Sequence, residues 1–176
     1  MLFSSLCSAV YRTGQRSRHT LALLLIMLPL LLAGCQSDPT DDTDYAARDE
    51  QLITDYIKAN NLTGFVRQAS GLYVAVTQPG TGNPAVAGQQ LTTLYTGLTL
   101  DGRIFDSTAN RNNDPLTFTV GRGQVIQGWD EGFIGLRPGS KAILLIPSDL
   151  AYGARATGPI PARSVLRFDV ELLRVQ

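Results

Sequence analysis

The sequence predicts an α+β domain in which antiparallel strands curl around one short helix, and three observations lead there. The first is the stretch Gln124-Val125-Ile126-Gln127-Gly128-Trp129-Asp130-Glu131-Gly132-Phe133. Ile126, Trp129 and Phe133 recur in it at helical spacing and form one apolar face, with Asp130 and Glu131 to its side. Taken alone, Trp129 reads as the core aromatic of a small domain. The second is what surrounds it: runs at 72–77, 91–100, 116–120, 140–147 and 164–175 are rich in Val, Ile, Leu, Thr and Phe and read as strands. The third is punctuation. Pro79-Gly80-Thr81-Gly82-Asn83-Pro84 and Pro138-Gly139 break the pattern, and Asp101-Gly102 is placed as a tight hairpin turn. A domain over residues 64–176, about 110 residues, is long enough for a single core.

The chain before it divides into three segments. Residues 1–34 combine the basic, acid-free Arg12, Arg16 and Arg18 with an apolar run at 21–32, too short to span a membrane, and are expected to be a cleaved secretory signal. The end of that segment, Leu32-Ala33-Gly34-Cys35, resembles a bacterial lipobox, which implies a lipid on Cys35 and several acyl chains as a stable anchor. Gln36 rather than Asp follows the Cys. By the sorting rule of many Gram-negative bacteria this points to the outer membrane, with the domain in the periplasm. Residues 35–44 read as a lipidated Cys and an acidic tether carrying Pro39 and Asp41-Asp42-Thr43-Asp44. Residues 45–63 hold a helix over 45–60 with Leu52, Ile53, Tyr56 and Ile57 as one stripe, stopped at Asn60-Asn61. That stripe needs a partner, either the main domain or a second copy.

Charge and composition then exclude much chemistry. Of 15 Lys+Arg, Arg12, Arg16 and Arg18 leave with the signal while all 15 Asp+Glu stay, giving 12 − 15 = −3, so no nucleic-acid face is indicated. Cys7 and His19 leave as well. The mature chain has no imidazole and no thiol beyond Cys35, which excludes Ser/His/Asp and Cys/His nucleophiles and a His/Cys zinc site. No cofactor and no metal are expected. The glycines at 121, 123 and 128 miss the G-x-G-x-x-G spacing of a dinucleotide loop.

Six stretches from different strands stand in one order: Tyr95-Thr96-Gly97, Asp101-Gly102-Arg103-Ile104-Phe105-Asp106-Ser107, Val125-Ile126-Gln127-Gly128-Trp129, Ala151-Tyr152-Gly153, Ile160-Pro161 and Phe168-Asp169-Val170-Glu171-Leu172-Leu173. Together, over residues 71–176, they resemble the FKBP-type peptidyl-prolyl cis/trans isomerases. The resemblance implies a five- or six-stranded antiparallel half-barrel around the Trp129 helix, and an aromatic cup as its site. Trp129 would be the floor, and Tyr95, Phe105, Leu116, Val125, Ile126, Tyr152, Ile160 and Phe168 the walls and rim. The Ile126 N–H and the Tyr152 hydroxyl would bind substrate carbonyls, and Asp106, held by Tyr95 and Arg111, would act electrostatically. Taken alone, Asp106 in Asp106-Ser107-Thr108 reads as a turn or cap residue.

Departures from the family pattern are Leu116, where a Phe is common, and Ala156-Thr157-Gly158, where a His is common; they reshape the rim. The expected partners are proline-containing polypeptides, the membrane through Cys35, and macrolide inhibitors, with the protein a monomer. A proline-binding module without turnover, and a chaperone working through the 45–60 helix, stay open as alternatives.

Overall fold

The computed structural model describes residues 44–176. The signal, the lipobox with Cys35 and the tether as far as Thr43 lie outside them. Helix α1 (Tyr45–Ala59) starts at Asp44, whose carboxylate accepts from the Ala47 N–H at 3.0 Å, an N-cap of the usual kind. It ends at Asn60, and Asn61 turns left-handed with φ 51°.

Seven antiparallel strands follow: β1 (Val66–Arg67), β2 (Tyr73–Gln78), β3 (Gln90–Thr99), β4 (Ile104–Ser107), β5 (Leu116–Thr119), β6 (Lys141–Ile146) and β7 (Leu166–Val175). Between β5 and β6 runs the short helix α2 (Gln127–Gly132). The spatial order is β1-β2-β6-β7-β3-β4, with β5 also on β3. Strand β3 is long enough to hold β5 along Gln90 to Thr93 and β4 along Thr96 to Leu98 on one edge, and β7 on the other. The count exceeds the five or six strands implied by the sequence. The addition is β1, whose two residues pair Val66 with Val74 and are too few to show an alternation.

Period-two alternation gives the sheet two buried faces. On β6, Ala142, Leu144 and Ile146 join the core around α2, with Leu72, Phe118, Trp129, Phe133, Leu166, Phe168 and Leu172. Ile143 and Leu145 point the other way and pack with Tyr73, Val165 and the α1 residues Ile53, Tyr56 and Ile57. A strand covered on both sides reads as an unbroken apolar run, as Ala142-Ile143-Leu144-Leu145-Ile146 does.

Helix α1 thus docks on its own domain. Glu50 adds polar contacts there, accepting from the Tyr73 hydroxyl at 2.5 Å and from Arg67 Nε at 2.9 Å. Only Leu52 of the stripe stays exposed, at 43%. The surface a chaperone reading would need is therefore already covered by the sheet.

Helix α2 is shorter than its sequence suggests, ending at Gly132 and not at Pro138-Gly139. Tertiary bonds compete with the helical ones. Gly135, at φ 84°, donates to the Ala85 carbonyl at 2.9 Å, and the Ala85 N–H donates to Leu136 at 2.7 Å.

Candidate active site

On the concave side a cleft of about 410 Å³ opens over α2. The sheet supplies Tyr95 from β3, Phe105 and Asp106 from β4, Leu116 from β5 and Phe168 from β7. Gln124, Val125 and Ile126 come from the approach to α2, Trp129 from α2 itself, and Tyr152 and Thr157 to Ile160 from the loop after β6. Residues up to 73 positions apart in sequence, Tyr95 and Phe168, thus share one wall because β3 and β7 are neighbours.

Trp129 lies beneath them, only 3% exposed. Its ring meets Tyr95 edge-on at 5.0 Å and 84°, and Phe168 at 5.2 Å and 83°; Phe105 meets Phe168 at 5.5 Å and 84°. Edge-to-face pairs at these distances are the favoured aromatic geometry, and they fix the rings without polar bonds. The helix can approach the sheet this closely because it carries Gly128 against Ile146, where a Cβ would lie 2.4 Å from Ile146 Cγ2. The approach loop is fixed as well: Asp130 accepts from the N–H groups of Gly121 at 2.8 Å and Gly123 at 2.7 Å.

The polar groups of the cleft fall into two sets. One is tied up: the Tyr95 hydroxyl donates to Asp106 Oδ2 at 2.5 Å, and Arg111 Nη2 donates to the same hydroxyl and lies 3.4 Å from the Asp106 carboxylate. Arg111 does not line the cleft; it stands behind this pair. Asp106 is not a helix cap, since Ser107 fills that role by accepting from the Ala109 N–H at 3.2 Å. Its carboxylate, about half exposed, therefore faces the rim.

The other set has nothing to bond within the protein. Ile126, at φ −61° and ψ 149°, heads α2, and its carbonyl accepts from Trp129 and Asp130. Its N–H has no acceptor among the described residues, nor has the Tyr152 hydroxyl a partner there. Burial, then the Asp106 carboxylate taking its hydrogen bond, push the Tyr95 phenol up to about 12. Burial and then the Asp106 charge push Tyr152 up as well. Both phenols remain protonated donors near neutral pH.

Every cup residue expected from the sequence lines this one cleft, with Arg111 just outside. The sequence places Thr157 and Gly158 at the rim but assigns nothing to Gln124 or Pro159. The position of Pro159 follows from a turn in which Thr157 and Ile160 exchange both backbone bonds at 2.9 Å. The Gly158-Pro159 pair is its only sequence trace.

Fold and cleft together define an FKBP-type domain, and comparison with known proteins agrees. The model of the FKBP-type peptidyl-prolyl cis-trans isomerase family matches residues 82–173, and the chain belongs to that family. It is 50% identical over 106 residues to an FK506-binding protein of Neisseria meningitidis serogroup B, covering 60% of this chain and 96% of that one. It is 47% identical over 108 residues to the peptidyl-prolyl cis-trans isomerase Fkbp12 of Drosophila melanogaster, covering 60% and 99%. Among solved structures it resembles AtFKBP13, with TM-score 0.61, 39% identity, and 65% of this chain and all of that one covered. It also resembles FkpA from Escherichia coli, with TM-score 0.66 and 29% identity over 93% of this chain and 74% of that one.

Proposed function

We propose that the chain accelerates Xaa-Pro rotation without covalent chemistry, seating the proline ring on Trp129 and holding neighbouring substrate carbonyls with the Ile126 N–H and the Tyr152 hydroxyl. The observation that supports this most is the meeting in one cleft of the unspent Ile126 N–H and Tyr152 hydroxyl with an aromatic floor whose own Trp129 Nε1 is also unpaired among the described residues. Rotation about a prolyl amide faces a barrier of about 18–20 kcal/mol because resonance stiffens the C–N bond. At the twisted transition state that resonance is lost and the oxygen gives up partial negative charge. A water-poor pocket disfavours the planar, polar amide more than the twisted one, and fixed donors hold the chain in its turned shape. Differential stabilisation of ~5–6 kcal/mol gives ~10⁴-fold. Asp106 orients Tyr95 and sets the rim's potential; no proton moves.

Isomerisation of a Leu-Pro-Phe peptide by residues 36–176 tests this. We expect activity that FK506 blocks, and a fall of about tenfold in kcat/KM for Tyr152→Phe, the loss of one hydrogen bond to a substrate, with a fall of at least that size for Asp106→Val. Tyr152→Phe at the wild-type rate would remove that residue from the mechanism. Activity indifferent to FK506 and to both substitutions would place catalysis elsewhere.

We further propose that the enzyme works in the bacterial envelope, tethered by lipid on Cys35 to the outer membrane and assisting the folding of exported proteins. The lipobox-like Leu32-Ala33-Gly34-Cys35 and the acidic residues after it support that reading. Cys35→Ser should move the protein from the membrane pellet to the soluble fraction; a variant that still pellets argues against the lipid anchor.

A further inference from the structure

Helix α1 lies outside the part of the chain that matches the family, residues 82–173, yet it bonds directly to the loop that carries Tyr152. The key residue is Asp49. It is 1% exposed, although Ile53 and Ile57 on the same helix already provide an apolar face for docking. A carboxylate so deeply buried persists only where every oxygen is bonded.

Its bonds form a closed ring. Asp49 Oδ2 accepts from the Ser148 N–H at 2.7 Å, at the start of the loop after β6. The Ser148 carbonyl accepts from the Gly153 N–H at 2.8 Å, and the Gly153 carbonyl accepts from the Arg163 N–H at 2.8 Å. The Arg163 carbonyl accepts from Arg48 Nη2 at 2.5 Å, and Arg48 returns to Asp49 Oδ1 through Nε at 3.0 Å and Nη2 at 2.5 Å. The ring therefore ties down both ends of residues 148–163, and Tyr152 sits between two of its members.

Arg163 shows that this shape is held from outside. It is a non-glycine residue at φ 57°, where an L side chain is strained. Its guanidinium is fixed on Asp149 at 2.9 Å and over the Tyr45 ring at 4.1 Å, with Arg48 over the same ring at 4.7 Å.

We infer that Asp49 is a positioning residue of the isomerase: with Arg48 it closes a hydrogen-bond ring that holds the Tyr152 and Ile160 wall of the cleft in place. Helix α1 is thereby part of the working site. The inference rests on the reading that Tyr152 touches substrate.

The test uses the 176-residue chain in detergent, comparing wild type with Asp49→Ala, Asp49→Asn, Arg48→Met and Tyr152→Phe. Kinetics are read well below each variant's unfolding transition, beside hydrogen exchange. Asp49→Ala should lower kcat/KM by about three- to tenfold, with faster exchange confined to residues 148–163, because misplaced binding groups cost rate steeply. Asp49→Asn keeps an oxygen for the Ser148 N–H but turns an NH2 donor onto Arg48, so it should recover only part of the loss and match Arg48→Met, a pairing that a residue acting only on overall stability would not show. A folded Asp49→Ala chain with wild-type kcat/KM and wild-type exchange in 148–163 overturns the inference. If Asp49→Ala does not fold, Arg48→Met opens the ring at its solvent side: the same local loss there supports the ring, and wild-type behaviour overturns it. Tyr152→Phe separates the two ideas. Weakened Tyr152→Phe beside unaffected ring variants refutes the positioning role alone, whereas Tyr152→Phe at the wild-type rate refutes the site reading beneath it.

Discussion

Trp129→Ala is expected to cost about 3–5 kcal/mol of stability, as truncating a buried aromatic typically does. That is a large part of the ~5–15 kcal/mol that holds an average domain together. The reason is position. Trp129 touches Tyr95, Phe118, Phe133 and Phe168 at ring separations of 5.0 to 5.6 Å, so its removal leaves four rings facing a void that the sheet cannot close. Urea unfolding followed by circular dichroism measures this, since the only tryptophan is lost with the substitution. Activity should fall further than stability explains, because the cleft loses its floor. Measured in the cold, a still-folded Trp129→Ala chain should show no rate above background while Trp129→Phe keeps part of it. A variant that unfolds within about 1 kcal/mol of wild type would show that the cluster is not organised around this ring.

Gly97→Ala is the second large effect, and it acts on the wall. An added Cβ would lie 2.6 Å from Phe105 Cζ and 2.9 Å from Phe168 Cε1, well inside van der Waals contact. Phe168 is pinned against Trp129, so the half-buried Phe105 ring must give way, and the side open to it is the cleft. Overpacking of this kind costs about 1–3 kcal/mol. The displaced ring should also lower kcat/KM by about tenfold or more, as misplacing a binding wall does. Gly97→Ala combined with Phe105→Leu tests the cause: the second change should restore part of the stability lost to the first. Simple additivity of the two losses would mean that the clash is absorbed elsewhere.

How far these effects could be foreseen depends on how local their causes are. Trp129 was legible because Ile126, Trp129 and Phe133 repeat at one period within eight residues, and the strands because runs rich in Val, Ile, Leu, Thr and Phe are set off by Pro and Gly. The cup residues were legible only as a set of motifs in order; nothing in Tyr95 or Phe168 alone tells a pocket wall from ordinary core. Gly97 was legible only as a member of the Tyr95-Thr96-Gly97 motif; the reason it must be glycine was not, since the rings it accommodates come from β4 and β7. Asp49 was silent for the same reason. Its partner Ser148 is 99 positions away, and beside Arg48 it looks like any exposed helical ion pair. The fate of the α1 stripe was open until β6 proved apolar on its second face.

Strand β7 lies between β3 and β6, and it is the last of the described strands in chain order. Before residue 166 is available, β1, β2 and β6 can form one half of the sheet and β3, β4 and β5 the other, with no strand to join them. Most of the pairing that closes this domain links distant parts of the chain, a topology that folds slowly, on the order of milliseconds to seconds. A nascent chain can accordingly hold no more than two separate half-sheets until its final strand emerges, and the domain closes only when that strand is laid between them.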